Sequence, residues 1–194
     1  MNKLQIVKMV NEVKDQVCEQ FINNFANTTL KFQGANSNPF MGSCIIINHL
    51  LCETLKSKGL NAELVAGSAT FGINHNNYGV IEYGYIGNMS TLTPDGSLAI
   101  NNGFKGHAWV TIEELDLVID LTLMHLKELA KLDNDNRGII DKDYLLDQSE
   151  LVLSTNQLIG RDKIIAGSIG YHYCENNEIT AKALEQLAKI LNLN

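Results

Sequence analysis

The sequence predicts an α+β domain in which a cysteine-bearing helix packs on an antiparallel sheet. Three observations lead there. An apolar run, Cys44-Ile-Ile-Ile-Asn-His-Leu-Leu-Cys52, follows a loop-like stretch and is stopped at Lys58-Gly59, a common end signal for a helix. Strand-like segments follow at 62–71 and 80–86. A third, 106–122, folds back on itself near Glu113-Glu-Leu-Asp116 and reads as an antiparallel hairpin.

The elements follow in order. Leu4, Val7, Met9, Val10, Val13, Val17, Phe21 and Phe25 recur at helical spacing and predict one or two helices over 3–26. A loop over about 27–43 carries Asn, Ser, Gly and one of the two prolines, and so belongs on the surface. In the helix over 44–58, His49, Glu53 and Lys56 form a narrow polar face. A helix buried on most sides carries its first residue rigidly. Between the first two strands lies an Asn-rich loop with His75 and Tyr78, read as solvated surface. Residues 87–106 form a long Asn- and Gly-rich loop that delivers the chain to His107. Such loops are rims of functional clefts or surface insertions. Beyond the hairpin, a helix over about 123–132, a polar segment at 133–138, short strands and a helix over about 178–192 complete a single domain, 1–194, with its core at about 40–122.

Bulk properties narrow the function. A chain of 194 residues with 45% hydrophobic and 19% charged side chains is long enough to bury a full core. A net charge of −7 argues against a nucleic-acid binder, which presents a basic face. No segment approaches the roughly 20 apolar residues of a membrane span, and Met1-Asn-Lys-Leu-Gln-Ile-Val-Lys8 lacks the features of a signal peptide. The cytoplasm is the expected location. Cys18, Cys44, Cys52 and Cys174 show no disulfide spacing and read as free thiols. His49 and Cys52, three apart, are too few to make a metal site. No metal or cofactor is expected, and no oligomeric state or protein partner can be read.

The chemistry centres on Cys44. At a helix start, unpaired backbone N–H groups and the positive end of the dipole favour thiolate over thiol. A thiol nucleophile needs a base, and an imidazole base needs an orienting carboxylate. Gly106-His-Ala-Trp-Val110 and Leu117-Val-Ile-Asp-Leu121 supply one of each. His107, Trp109 and Thr111 share one strand face. If opposed residues of the hairpin sum to an odd number such as 227 or 229, His107 and Asp120 lie on the same face, roughly 5–8 Å apart at the backbone. A slip of one residue separates them. Asp120, inside Val118-Ile-Asp-Leu-Thr-Leu123, is costly to bury without a partner, and a protonated imidazole is the natural one. The Cys44 N–H is one candidate oxyanion donor; Gln33, Asn36 and Asn38 are candidates for the second.

These features, with Leu55-Lys-Ser-Lys-Gly59 and Leu64-Val-Ala-Gly67 between them, resemble in their order the transglutaminase-like superfamily of papain-like thiol enzymes. The resemblance covers about residues 40–122. It implies a papain-like core and a Cys-His-Asp triad, here Cys44, His107 and Asp120. Trp109 stands where a tryptophan often follows the family's histidine, and Thr122 matches its threonine, with Leu121 in place of the usual proline. Cys44-Ile-Ile-Ile-Asn48 is also similar to the Cys-x-x-x-Asn of arylamine N-acetyltransferases, although Met41-Gly-Ser43 replaces their Arg-Gly-Gly.

The remaining candidates read more plainly. Cys18 and Cys52 are small buried hydrophobes. Asn48, on the apolar face, is expected to anchor the substrate-bearing loop. Trp109 reads as core or cleft wall. Tyr171-His-Tyr-Cys174 places His172 and Cys174 on one strand face, and His125 lies close enough in sequence to compete for Asp120. The expected activity is acyl chemistry on an amide, as a peptidase or amidase acting on a peptide or small amide. Transfer of the acyl group to an amine, or an inactive binding domain of the same fold, are the alternatives.

Overall fold

The computed structural model describes residues 1–33, 42–74, 79–83, 106–126, 150–166, 168 and 170–192. Its first helix, α1 (Lys3–Gln33), is continuous and outlasts the 3–26 expectation. No glycine or proline interrupts the sequence before Gly34, and the Thr28-Thr29 pair costs too little helix propensity to stop propagation. Residues 27–33 of the predicted loop are therefore helical, and 34–41 lie outside the described residues. The buried stripe is Ile6, Val10, Val13, Val17, Phe21 and Phe25, whereas Leu4 is 76% exposed. Leu4 lies two residues before Ile6, about 200° around the helix, and so faces away from the core.

Helix α2 (Cys44–Ser57) begins at the cysteine itself. Gly42 turns the chain into it with φ 69, a left-handed conformation open to glycine without steric cost. The helix ends with Leu60 N–H donating to Leu55 O at 3.2 Å and Gly59 N–H to Lys56 O at 2.9 Å, the paired bonds of a Schellman motif. Nine of its fourteen residues are buried, so its first residue has little freedom to wander.

The sheet is organised around β1 (Glu63–Asn74). Its first half pairs antiparallel with β3 (His107–Ile112), and its second half with β2 (Gly79–Tyr83). Strand β6 (Gly170–Glu175) takes the opposite edge, so that Gly67 stands between His107 and Glu175. Beyond β3 come β4 (Leu117–Ile119) and β5 (Val152–Ser154). Strand β1 outruns its predicted end at Phe71 because a register shift between Gly72 and Asn74 lets pairing with β2 resume. The β3–β4 turn is a 3-10 segment, Glu113–Leu115, closed by Asp116 at φ 52. Val110 faces Ile119 and Thr111 faces Val118, the odd-sum register that puts His107 and Asp120 on one face. In place of the predicted start of a helix at 123, the chain leaves β4 through a 3-10 turn, Leu121–His125. The polar segment at 133–138 lies outside the described residues.

Two further α-helices follow β5 among the described residues. They are α3 (Arg161–Ile165) and α4 (Asn177–Leu191), the latter capped by the Asn176 side chain, which accepts from the Glu178 and Ile179 N–H groups. The sheet divides the apolar side chains into two layers. Val110, Ile112, Leu117 and Ile119 pack with α1, α2 and Ile190 of α4. The other face gathers Val65, Ala69, Phe71, Trp109, Val118 and Tyr173. This is the mixed helix and antiparallel sheet expected. No helix among the described residues is long and apolar enough to cross a membrane.

Candidate active site

Asp120 follows β4 directly and is fully buried. Burying a carboxylate demands partners, and four residues provide them. Oδ2 accepts from His107 Nε2 at 2.6 Å and from the Tyr173 hydroxyl at 2.9 Å. Oδ1 accepts from Asn48 Nδ2 at 3.0 Å, Thr122 N–H at 2.9 Å and the Thr122 hydroxyl at 2.6 Å. Burial pushes the Asp120 carboxyl up, but the charge and hydrogen bond of His107, then the bonds from Thr122 and Asn48, hold it below the usual carboxylate range.

His107 opens β3 on the same sheet face, 2% exposed. Phe71 meets its ring edge-on at 5.4 Å, and Trp109 lies nearly parallel to it at 6.3 Å. Cys44 packs against Ala66 and Ala108, the direct sequence neighbours of Gly67 and His107 in β1 and β3. Its side chain is among the groups that act on the imidazole, through hydrogen bonding and charge that both raise it. With Nε2 on Asp120, Nδ1 is the ring nitrogen left to the thiol. Burial alone would push His107 down. The Asp120 charge and hydrogen bond, followed by the hydrogen bond and charge of Cys44, outweigh it and raise the imidazole to about 10.

These shifts fix the sign of a pH dependence. His107 is raised from an ordinary 6.5 to about 10, so its stabilisation of the fold is complete below 6.5 and fades as pH climbs from there to about 10. Asp120, held low, stabilises above the ordinary carboxylate range and fails only in acid. Urea midpoints are therefore expected to fall between pH 7 and 10, and to lose that His107 component in His107→Gln. Equal slopes in the two chains would contradict the arrangement.

Asn48 is fully buried. Its amide donates to Ala108 O at 2.8 Å as well as to Asp120, and its Oδ1 accepts Leu121 N–H at 3.0 Å. It anchors the cysteine helix to both hairpin strands, because one turn beyond Cys44 it faces the sheet; the loop expected to be its partner lies mostly outside the described residues. Trp109 is 2% exposed and packs on Tyr173 at 4.9 Å, so it is a wall behind His107 and not an open contact for substrate. His125 is not among the partners of Asp120. His172 and Cys174 alternate with Tyr173 and so point to the other sheet face; His172 Nδ1 donates to Ile159 O at 2.9 Å. Cys52 donates to Ala62 O at 3.4 Å, and burial raises both its thiol and that of Cys18. The side chain of Gln33, with Asn36, Asn38, His75, Tyr78 and most of the 87–106 loop, lies outside the described residues. Among the described residues, no group of three or more His, Cys, Asp or Glu side chains could hold a metal ion.

Sequence reasoning missed Tyr173. The signal was present in the same alternation that drew notice to His172 and Cys174, but on the opposite face.

No family model matches the chain, and no curated protein matches it. A solved structure of the genomics target APC5867 is similar, with a TM-score of 0.49 and 13% identity over 84% of this chain. This chain spans 66% of that one, just under two thirds of its length. The likeness says nothing about chemistry.

Proposed function

We propose that the chain is a cysteine-dependent enzyme of amide acyl chemistry, a peptidase or amidase with a transglutaminase-like, papain-like core. The observation that carries this reading is the linked order of three groups. A thiol at a helix start packs beside the strand start that carries an imidazole, on which it acts, and Nε2 of that imidazole is held at 2.6 Å by a buried carboxylate. The imidazole takes the thiol proton, and the Cys44 sulfur attacks the amide carbonyl carbon. The first-turn N–H groups of α2, which no helix carbonyl accepts, face developing charge at the oxyanion. As the C–N bond breaks, His107 returns its proton to the departing amine, leaving a thioester on Cys44. Water, deprotonated by His107, then cleaves the thioester. An amine in place of water would give transfer instead, and assaying products with and without added amine separates the two. Four unpaired cysteines suit the cytoplasm.

Iodoacetamide labelling of each cysteine at pH 6–7, read by peptide mass spectrometry, tests the reading without a known substrate. Cys44 is expected to label at least about tenfold faster than Cys18 and Cys52, and His107→Ala is expected to remove the advantage. If Cys44 labels no faster than those controls, the nucleophile is lost and an inactive binding domain becomes the better account.

A further inference from the structure

Asp120 is held more completely than orientation requires. Three hydrogen bonds already fix Oδ1, from Asn48 Nδ2, Thr122 N–H and the Thr122 hydroxyl. Those alone set the carboxylate plane. The Tyr173 hydroxyl donates instead to Oδ2, the oxygen that holds His107 Nε2. Its ring is 9% exposed and wedged between Phe71 at 5.5 Å and Trp109 at 4.9 Å, so the hydroxyl is carried on a locked side chain. Two donors on one oxygen compete for the same electron density.

We propose that Tyr173 is a positioning residue acting through Asp120, sharing Oδ2 with His107 and so limiting how tightly the carboxylate grips the imidazole. The inference rests on the triad reading above. Its chemical sense lies in the second half of acylation, when His107 must give its proton to the leaving amine as the C–N bond breaks. An imidazolium locked wholly to Asp120 is a poor acid. Among the described residues, the titratable groups facing the ring are Asp120 after β4, Cys44 on α2 and Tyr173 on β6. Removal of the Tyr173 hydroxyl leaves Oδ1 anchored and gives Oδ2 to His107 alone.

The test is Tyr173→Phe, with the His107 ring followed by nitrogen-15 NMR across pH and Cys44 alkylation measured in parallel. His107 is expected to keep its proton to a pH about half to one unit higher than in the natural chain, with Cys44 still labelling faster than Cys52. A 3-fluorotyrosine at position 173, a stronger donor of the same shape, is expected to move the titration down; it decides the matter if Tyr173→Phe fails to fold. An unmoved or lowered His107 titration in Tyr173→Phe, or an unmoved or raised one with 3-fluorotyrosine, overturns the proposal while leaving the triad intact. Slow labelling of Cys44 in the unsubstituted chain sinks the triad reading itself.

Discussion

Asp120→Asn is expected to silence Cys44 while leaving a folded but weakened chain. Every group around the carboxylate, from His107, Tyr173, Asn48 and Thr122, can act as a donor there. An amide at this position brings an NH2 with few acceptors to meet it. Neutral His107 Nε2 can accept from it, but then Nδ1 carries the ring hydrogen and cannot take the thiol proton. The wrong tautomer in a comparable triad costs about 10⁴-fold in turnover. Here it is expected to bring Cys44 alkylation down to the rate of Cys52. Removing one charge of a buried pair also costs about 3–5 kcal/mol, to be read as a lowered urea midpoint at pH 7. Wild-type alkylation in a stable Asp120→Asn chain would show that the carboxylate neither orients nor charges the imidazole.

The second large effect is expected at Gly67. A Cβ there would lie 2.0 Å from the Cys174 carbonyl oxygen and 2.9 Å from the Glu175 Cα. Both are backbone atoms, so no side chain can swing aside. Gly67→Ala must push β6 off β1, and overpacking of this kind is expected to cost about 3 kcal/mol. Displacing β6 also withdraws Tyr173 from Asp120. Amide hydrogen exchange should therefore quicken across 170–175 more than across β3 and β4. A Gly67→Ala chain as stable as its parent, with unchanged exchange in β6, would mean that the two backbones do not approach so closely.

What the sequence made legible follows from range. Cys44, His107 and Asp120 could be placed because each lies at a local signal: a helix start, a strand start, and a charge in an apolar strand. The hairpin joined the last two through short-range pairing, and the Val110–Ile119 register is fixed by a turn only a few residues long. The helical state of 27–33 was missed because their polar composition suggested a loop, although no glycine or proline stands among them. Asn48 was recognised as buried, yet its partners Ala108, Asp120 and Leu121 lie 60 or more positions away. Tyr173 and the demand on Gly67 were hidden for the same reason. Both depend on β6 lying along β1, a pairing across about a hundred residues that no local pattern announces.

That late pairing bears on when the protein becomes reactive. The thiol is in place by residue 44 and the hairpin by residue 120, but β6 and α4, which flank β1 and cover Cys44 through Ala183 and Leu187, leave the ribosome only about fifty residues after the hairpin. On the proposed chemistry, a nascent chain carries an ordinary cysteine until that strand and helix close over it.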